Sequence, residues 1–177
     1  MSQVQACQVA IAAANPHEAE VLANLLEHYA HELSGTFGLK VGADGRFGYK
    51  DLPLYWTEPD RRFPFLIRVG THLAGFTLAT RGAPVTSDPE VFDVAEFFIL
   101  RAHRRSNVGR RAAELLWTRF PGRWIVRVSE GNADGYRFWL SVIATHTRGD
   151  FIETTRPGRT HPWRVFAFWG GERGATR

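Results

Sequence analysis

Cysteine is nearly absent from this 177-residue chain, occurring only as Cys7, so no internal disulfide can form and a reducing compartment is expected. Lysine is confined to Lys40 and Lys50, which leaves almost all of the positive charge to arginine. No apolar run approaches the roughly 20 residues that a membrane-spanning helix needs. The longest near the N-terminus, Val9 to Ala14, has no basic segment before it and runs into the helix-starting pair Asn15-Pro16, so a soluble, unexported, cytoplasmic protein without a membrane partner is expected. Clustered metal ligands are missing as well. His28 and His31 stand three apart on a predicted helix with no third ligand near them, and read as polar-face residues, so no metal is expected.

What is present is ordinary for a globular protein: 44% hydrophobic and 23% charged residues exclude disorder and fibres. The length suits one domain over residues 1–177. A formal charge of +4 raises the question of an anionic partner. Arg104, Arg105, Arg110 and Arg111 crowd one turn while the other arginines are scattered, which favours a small phosphorylated ligand over the stripe that a nucleic acid would need. The tryptophans fall mostly at positions that read as core, so no nucleic-acid partner is expected.

Along the chain, Val4 to Ala13 predicts a first strand. Asn15-Pro16-His17-Glu18 predicts a capping box that opens a helix with the apolar face Val21, Leu22, Leu25, Leu26 and Tyr29, ending before Ser34-Gly35. The glycine-rich connection from Thr36 to Arg62 predicts a turn at Asp44-Gly45 and a short helix around Leu54 to Trp56. Phe63 to Val69 and His72 to Thr80 predict a hairpin through Gly70-Thr71. From Val91 to Leu100 both faces are apolar, with Val94, Phe98 and Leu100 on one and Ala95, Phe97 and Ile99 on the other, which predicts a central strand covered on both sides.

Arg104 to Gly109 then forms a turn, and Ala112, Ala113, Leu115, Leu116 and Phe120 mark a helix that Pro121-Gly122 stops. Trp124 to Val128 predicts a strand, and Asn132 caps a helix with Phe138, Trp139, Val142 and Ile143 on its apolar face. Phe151 to Thr155 and Val165 to Trp169 predict a closing hairpin. The fold class is α/β: a mixed central sheet of about six or seven strands flanked by helices.

Two chemical features stand out. A strand, an arginine-rich turn and an immediate helix can turn the backbone N–H groups from Arg105 to Arg110 toward an anion at a positive helix end. Glu96 lies inside the central strand, where burial would raise its pKa toward a range useful for taking a proton from an ammonium. It could equally pair with an arginine or hold a water. Asp93 has the opposite strand parity and, without a bulge, faces away from Glu96.

Glu96-Phe97-Phe98-Ile99, then Arg104-Arg105-Ser106-Asn107-Val108-Gly109, then Asn132 followed by Phe138-Trp139, resemble the GCN5-related N-acetyltransferases, and the element order agrees over nearly the whole chain. In that family a Q/R-x-x-G-x-G/A signature wraps the pyrophosphate of acetyl-CoA. The resemblance implies the acyl-CoA N-acyltransferase fold, acetyl-CoA as co-substrate, and cofactor contacts from Phe98, Ile99, Arg104, Arg105, Ser106, Asn107, Val108, Gly109, Arg110, Asn132 and Trp139. It also implies a backbone N–H at Ile99 or its neighbour that meets the thioester carbonyl, and Glu96 as the base. The chain departs from the pattern at Asn107, where the family has glycine; asparagine tolerates left-handed backbone, but its side chain could crowd the phosphate. It departs again at Trp139, where the family often has tyrosine and where an indole cannot protonate a thiolate. Tyr136, on the same helical stripe as Asn132, or solvent, is left as the proton source.

The acceptor is expected among the first helix, the Gly35 to Arg62 connection and the closing hairpin, with Tyr29, Tyr55, Trp56, Glu58 and Asp60 as a wall for a cationic amine. The expected activity is acetylation of a primary amine of a small molecule, a metabolite or an aminoglycoside-type antibiotic. Protein or peptide acetylation and non-catalytic acyl-CoA binding are the alternatives, and a homodimer is left open.

Overall fold

The structure, a computed structural model, describes residues 8–158 and 161–171. Seven strands form one sheet: β1 (Val9–Ala13), β2 (Arg62–Val69), β3 (His72–Arg81), β4 (Phe92–Ile99), β5 (Gly122–Ser129), β6 (Phe151–Arg156) and β7 (Trp163–Gly170), in the order β1-β2-β3-β4-β5-β7-β6. Four α-helices join them: α1 (Ala19–Phe37), α2 (Leu54–Thr57), α3 (Val108–Arg119) and α4 (Ala133–Thr147). The expected α/β fold with a mixed sheet is present: every neighbouring pair is antiparallel except β4 and β5. Of the expected first strand, Val4 to Cys7 lies outside the described residues.

Local chemistry explains most of the element ends. The Asn15 side chain accepts the His17 N–H at 2.9 Å while Glu18 accepts the Asn15 N–H at 3.1 Å, and this box opens a 3-10 turn that feeds α1. The helix does not stop before Ser34-Gly35 as its sequence suggests. A Cβ at Gly35 would meet nothing within 4 Å, so that glycine sits on an open helix surface, and the end comes at Gly38, whose left-handed backbone (φ 63°) lets its N–H reach the Ser34 carbonyl.

The helices cover the sheet on both sides. Leu22, Leu25 and Leu26 of α1 and Tyr55 of α2 pack with Leu66, Phe76, Leu78 and Phe98. On the opposite face Ala113, Leu116, Trp117, Trp139, Val142 and Ile143 of α3 and α4 pack with Phe65, Val94, Val126 and Phe166. Burial of such large side chains, at roughly 1.5–3 kcal/mol each, is the main force holding the layers together.

Two irregularities in β4 shape the region beyond it. Leu78 pairs with Glu96 but Ala79 pairs with Val94, so Ala95 is an extra residue, a β-bulge. The bulge reverses strand parity. Val94 therefore shares the α3/α4 side with Phe97, and Phe98 goes to the α1/α2 side, which corrects the assignment by simple alternation. It also turns Asp93 to the same side as Glu96, where both line one cavity.

The second irregularity is a parting of strands. β4 and β5 pair in parallel only through Phe92↔Trp124, Asp93↔Ile125 and Val94↔Val126, whereas β5 goes on pairing with β7 to Ser129↔Trp163. From Ala95 onward the β5-facing edge of β4 has no ladder partner, and a wedge opens toward the C-terminal ends of both strands. Unpaired strand edges inside a fold need other partners, which makes the wedge a place for a ligand.

Candidate active site

On the α3 side of the wedge, β4 runs into the turn that carries Arg104 to Asn107. Arg105 and Asn107 both take left-handed backbone, with φ 61° and 66°. Asn107 thus meets the conformational demand that a glycine would meet more freely. It is the N-cap of α3 but makes no capping hydrogen bond, and the first intrahelical bond is Arg111 N–H to the Asn107 carbonyl at 3.0 Å. The N–H groups of Val108, Gly109 and Arg110 are therefore left without an intrahelical acceptor at the positive end of the helix. That is a fit for an anion. Gly109 lets the start of α3 pack close on β4 and α4: a Cβ there would lie 3.1 Å from the Phe138 ring and 3.4 Å from Ile99.

The arginines of the turn are not equivalent. Arg104 donates to the Ile99 carbonyl at 2.7 Å and to Glu32 of α1 at 2.7 Å, and Arg101 reaches the same carboxylate at 3.1 Å. Arg104 is thereby a brace between the turn and α1. Arg110 and Arg111 lie 3.7 Å and 3.6 Å from Glu114. Arg105, exposed, makes no ion pair among the described residues, and Ser106 Oγ donates to the His103 carbonyl at 2.8 Å.

On the opposite side of β4, Glu96 meets a cluster that sequence patterning did not assemble. The Tyr49 hydroxyl donates to it at 3.2 Å, and the Tyr29 hydroxyl lies near enough to favour its charged form. Burial pushes the Glu96 carboxyl above its ordinary value; the two phenols and the Arg127 charge oppose that, and Asp93 adds to it. Part of the residue faces the cavity, but its carboxyl lies deep among the rings. Arg127 of β5 grips Asp93 with two hydrogen bonds, Nε to Oδ1 at 3.0 Å and Nη2 to Oδ2 at 2.6 Å, and Asp93 is only 1% exposed. This bidentate pair ties β4 to β5 where they are about to part.

Glu96, Asp93 and Arg127 line a cavity of about 420 Å³, together with Tyr49, Asp51, Tyr55, Arg62 and Arg81. Burial raises the Tyr49 phenol well above its usual range and pushes Tyr55 up to about 12, so both are proton-bearing donors at neutral pH. Tyr49 itself sits on the 38–53 connection, and that connection is held to α1 by one residue. Glu27 accepts the Phe47 N–H at 2.7 Å and the Gly48 N–H at 2.9 Å, with Arg46 at 3.6 Å.

The residues singled out from sequence fall into different places. Tyr29 reaches Glu96, and Tyr55 and Glu58 line its cavity. Trp56 does not: its indole donates to the Ala14 carbonyl at 3.0 Å, which pins α2 to the end of β1. Phe98 lies on the Glu96 side, and Ile99 packs on Val108 and Ala112 of α3. Asn132 caps α4 by accepting the Gly135 N–H at 2.9 Å. Trp139, 7% exposed, packs edge-on to Phe97 with the rings 5.0 Å apart, so it is a core residue. Tyr136 stacks on Phe166 at 6.0 Å with the Arg164 guanidinium 5.3 Å over its ring. Asp93, Tyr49 and Arg127 were missed. The available signal was charge in otherwise apolar strands, at Asp93 and Arg127; nothing local marks Tyr49.

A seven-stranded sheet parted between its fourth and fifth strands, with an uncapped helix end beside the parting, is the fold of the GCN5-related N-acetyltransferases, and the chain adopts it. Solved structures bear this out. An acetyltransferase from Thermus thermophilus superposes with a TM-score of 0.69 over 92% of this chain and 99% of its own, at 20% identity. An aminoglycoside acetyltransferase, AAC(6')-Ib, in complex with coenzyme A gives 0.66 over 92% and 95% at 12% identity. The spermidine N-acetyltransferase of Vibrio cholerae, in complex with CoA and spermine, gives 0.64 over 92% and 96% at 9% identity. The sequence matches no family model and no curated protein.

Proposed function

We propose that the chain is an acetyl-CoA-dependent N-acetyltransferase that acetylates a primary amine of a small molecule by direct attack within a ternary complex. The observation that carries this reading is the wedge beyond Val94, with the free N–H groups of α3 on one side of β4 and the Glu96 carboxyl on the other. Its resemblance to CoA-bound acetyltransferases of the same fold supports it.

Acetyl-CoA supplies an activated acyl carbon; the remaining tasks belong to the chain. The N–H groups of Val108, Gly109 and Arg110, with those of the left-handed turn before them, would hold the pyrophosphate, and Arg105 is free to meet a further phosphate. The unpaired edge of β4 around Ile99 would present an N–H to the carbonyl oxygen. Glu96 takes the proton that the acceptor ammonium must lose, directly or through a water, and its raised pKa brings it nearer the basicity that this transfer requires. The nitrogen then forms its bond to the acyl carbon and gives up its second proton to solvent, the carbon–sulfur bond breaks, and the thiolate receives a proton from Tyr136 or from solvent.

A polar cavity of about 420 Å³ supports a small acceptor over a protein or peptide, which would want an open groove. Calorimetry with acetyl-CoA, together with its consumption over a panel of amines, tests the reading. Binding with turnover supports it. Binding with no turnover on any amine, peptides included, makes the chain an acyl-CoA binder, and no heat with acetyl-CoA at concentrations well above micromolar overturns both.

A further inference from the structure

Tyr49 bonds Glu96 from a glycine-rich connection, and a single side chain of α1 fixes that connection in place. Gly48, the residue before Tyr49, takes left-handed backbone (φ 70°) in open space, where a Cβ would meet nothing within 4 Å. That conformation turns the successive N–H groups of Phe47 and Gly48 to one side and makes a nest for an anion. The nest is filled from within the protein. Glu27 sets one carboxylate oxygen on each N–H, Oε2 on Phe47 at 2.7 Å and Oε1 on Gly48 at 2.9 Å, and Arg46 adds its charge at 3.6 Å. The next residue along the chain is Tyr49, whose hydroxyl then reaches Glu96 Oε1 at 3.2 Å. Tyr49 is also the wall between the Glu96 cavity and a hollow of about 610 Å³ that Glu27 lines from α1.

Building on the acyl-transfer reading, we propose that Glu27 is a positioning residue for that reaction: by filling the Phe47–Gly48 nest it keeps the Tyr49 phenol on the Glu96 carboxylate. Glu27 stands one connection away from the reacting groups, and its effect passes through a single hydrogen bond. That bond favours the ionised form of Glu96, the form that takes a proton from the acceptor. The other groups facing Glu96 are Tyr29 of α1, Tyr55 of α2, Asp93 of β4 and Arg127 of β5, and none of them is borne by the 38–53 connection. Lys40, Asp44 and Arg46 of the connection share the hollow with Glu27, and His31 of α1 rests on the Phe47 ring with the centroids 6.4 Å apart. Position and charge act in opposite directions here. Removing a negative charge at Glu27 would, through space, make Glu96 easier to ionise, whereas releasing Tyr49 makes it harder.

Titration of Glu96 tests this without any substrate. Its carboxyl is followed by carbon nuclear magnetic resonance in the full chain, in the wild type, Glu27→Gln, Tyr49→Phe and the double variant. Glu27→Gln offers one acceptor oxygen where two N–H groups need two. Both single variants are expected to move the Glu96 midpoint upward, by about one pH unit for Tyr49→Phe, and the double variant no further than Tyr49→Phe alone. On an amine that is turned over, the rising limb of the pH–rate profile should move with the midpoint, a fall of about tenfold in rate at a pH on that limb for each unit, with KM for acetyl-CoA unchanged. A midpoint that stays or moves downward in Glu27→Gln, or a double variant that shifts by the sum of the single ones, overturns the proposal. Gly48→Val, which strains the left-handed turn and changes no charge, is read by the same criteria should Glu27→Gln fail to fold. If the midpoints move as expected while acetyl-CoA is neither bound nor consumed, acyl transfer falls and the hold of Glu27 on Tyr49 stands. If amines are acetylated and the midpoint ignores Glu27→Gln, acyl transfer stands and the positioning role falls.

Discussion

At Glu96, burial favours the neutral acid while two phenols and Arg127 favour the anion, and burial prevails. The folded-state pKa then lies above the unfolded one, so the native protein holds this proton more tightly. Its contribution to stability is fully present below the ordinary glutamate range and declines as pH rises through the folded value. Glu96→Gln is neutral at every pH and is expected to leave the melting temperature at pH 8 equal to or above that of the wild type, while kcat falls by about 100-fold or more. The rate of the wild type should rise with pH along a limb displaced above the usual glutamate value; a limb at that usual value would take the base role from Glu96. Asn107 is the other decisive single residue. Asn107→Gly should keep the turn, whereas Asn107→Val, branched at Cβ in left-handed backbone, is expected to cost about 1–2 kcal/mol in thermal unfolding and to weaken CoA binding in calorimetry.

At the scale of elements, two connections position the site. The Asp93–Arg127 pair joins β4 to β5 just before they diverge. Asp93→Ala leaves a half-buried guanidinium uncompensated and should cost about 3–5 kcal/mol in urea unfolding, part of which Arg127→Met in the same chain should restore. The second connection is Glu27, which holds the segment that brings Tyr49 onto Glu96. Partial burial alone would raise the Glu27 carboxyl, but the Phe47 and Gly48 N–H groups with Arg46 outweigh it and leave it below its ordinary value. Its contribution is therefore present above the unfolded glutamate pKa and is lost as pH falls through the folded one. The protection of the Phe47 and Gly48 amides, measured as exchange relative to the intrinsic rate at each pH, should fall on acidification. Glu27→Gln should show the faster exchange already at neutral pH; unchanged protection there would mean that packing, not this carboxylate, holds the segment.

Across the whole molecule the two halves of the proposed site sit on opposite faces of one strand: α3 and its free N–H groups on one side, α1, α2 and the Glu96 cavity on the other. Arg104 links the two by bonding both the end of β4 and Glu32 of α1. A ligand seated at α3 stabilises the whole domain by mass action, because only the folded chain has the site. CoA at about 100 times its dissociation constant should add about 2.7 kcal/mol, which for a domain of this size is a rise of roughly 5–10 °C in melting temperature. No rise at such saturation in differential scanning calorimetry would count against the α3 site.

The sequence by itself determined whatever depends on neighbours in the chain. The capping box at Asn15, the Gly70-Thr71 hairpin, the left-handed turn at Asn107 and the cap at Asn132 are set by contacts over a few residues, where side-chain chemistry and backbone preference act directly. Ser34-Gly35 reads as the end of α1, but a glycine stops a helix only where the backbone turns left-handed, and that turn comes at Gly38. Tertiary structure alone decided the rest. The Ala95 bulge arises from how β3 pairs with β4, and it cancels the alternation from which Asp93 was read as facing away. Tyr49, 47 residues from Glu96, arrives there because Glu27 folds a glycine-rich connection back on α1. The candidate base was legible in the sequence as a carboxylate in an apolar strand. Its partners were not, since each comes from a different element and only the packed sheet brings them within hydrogen-bonding distance.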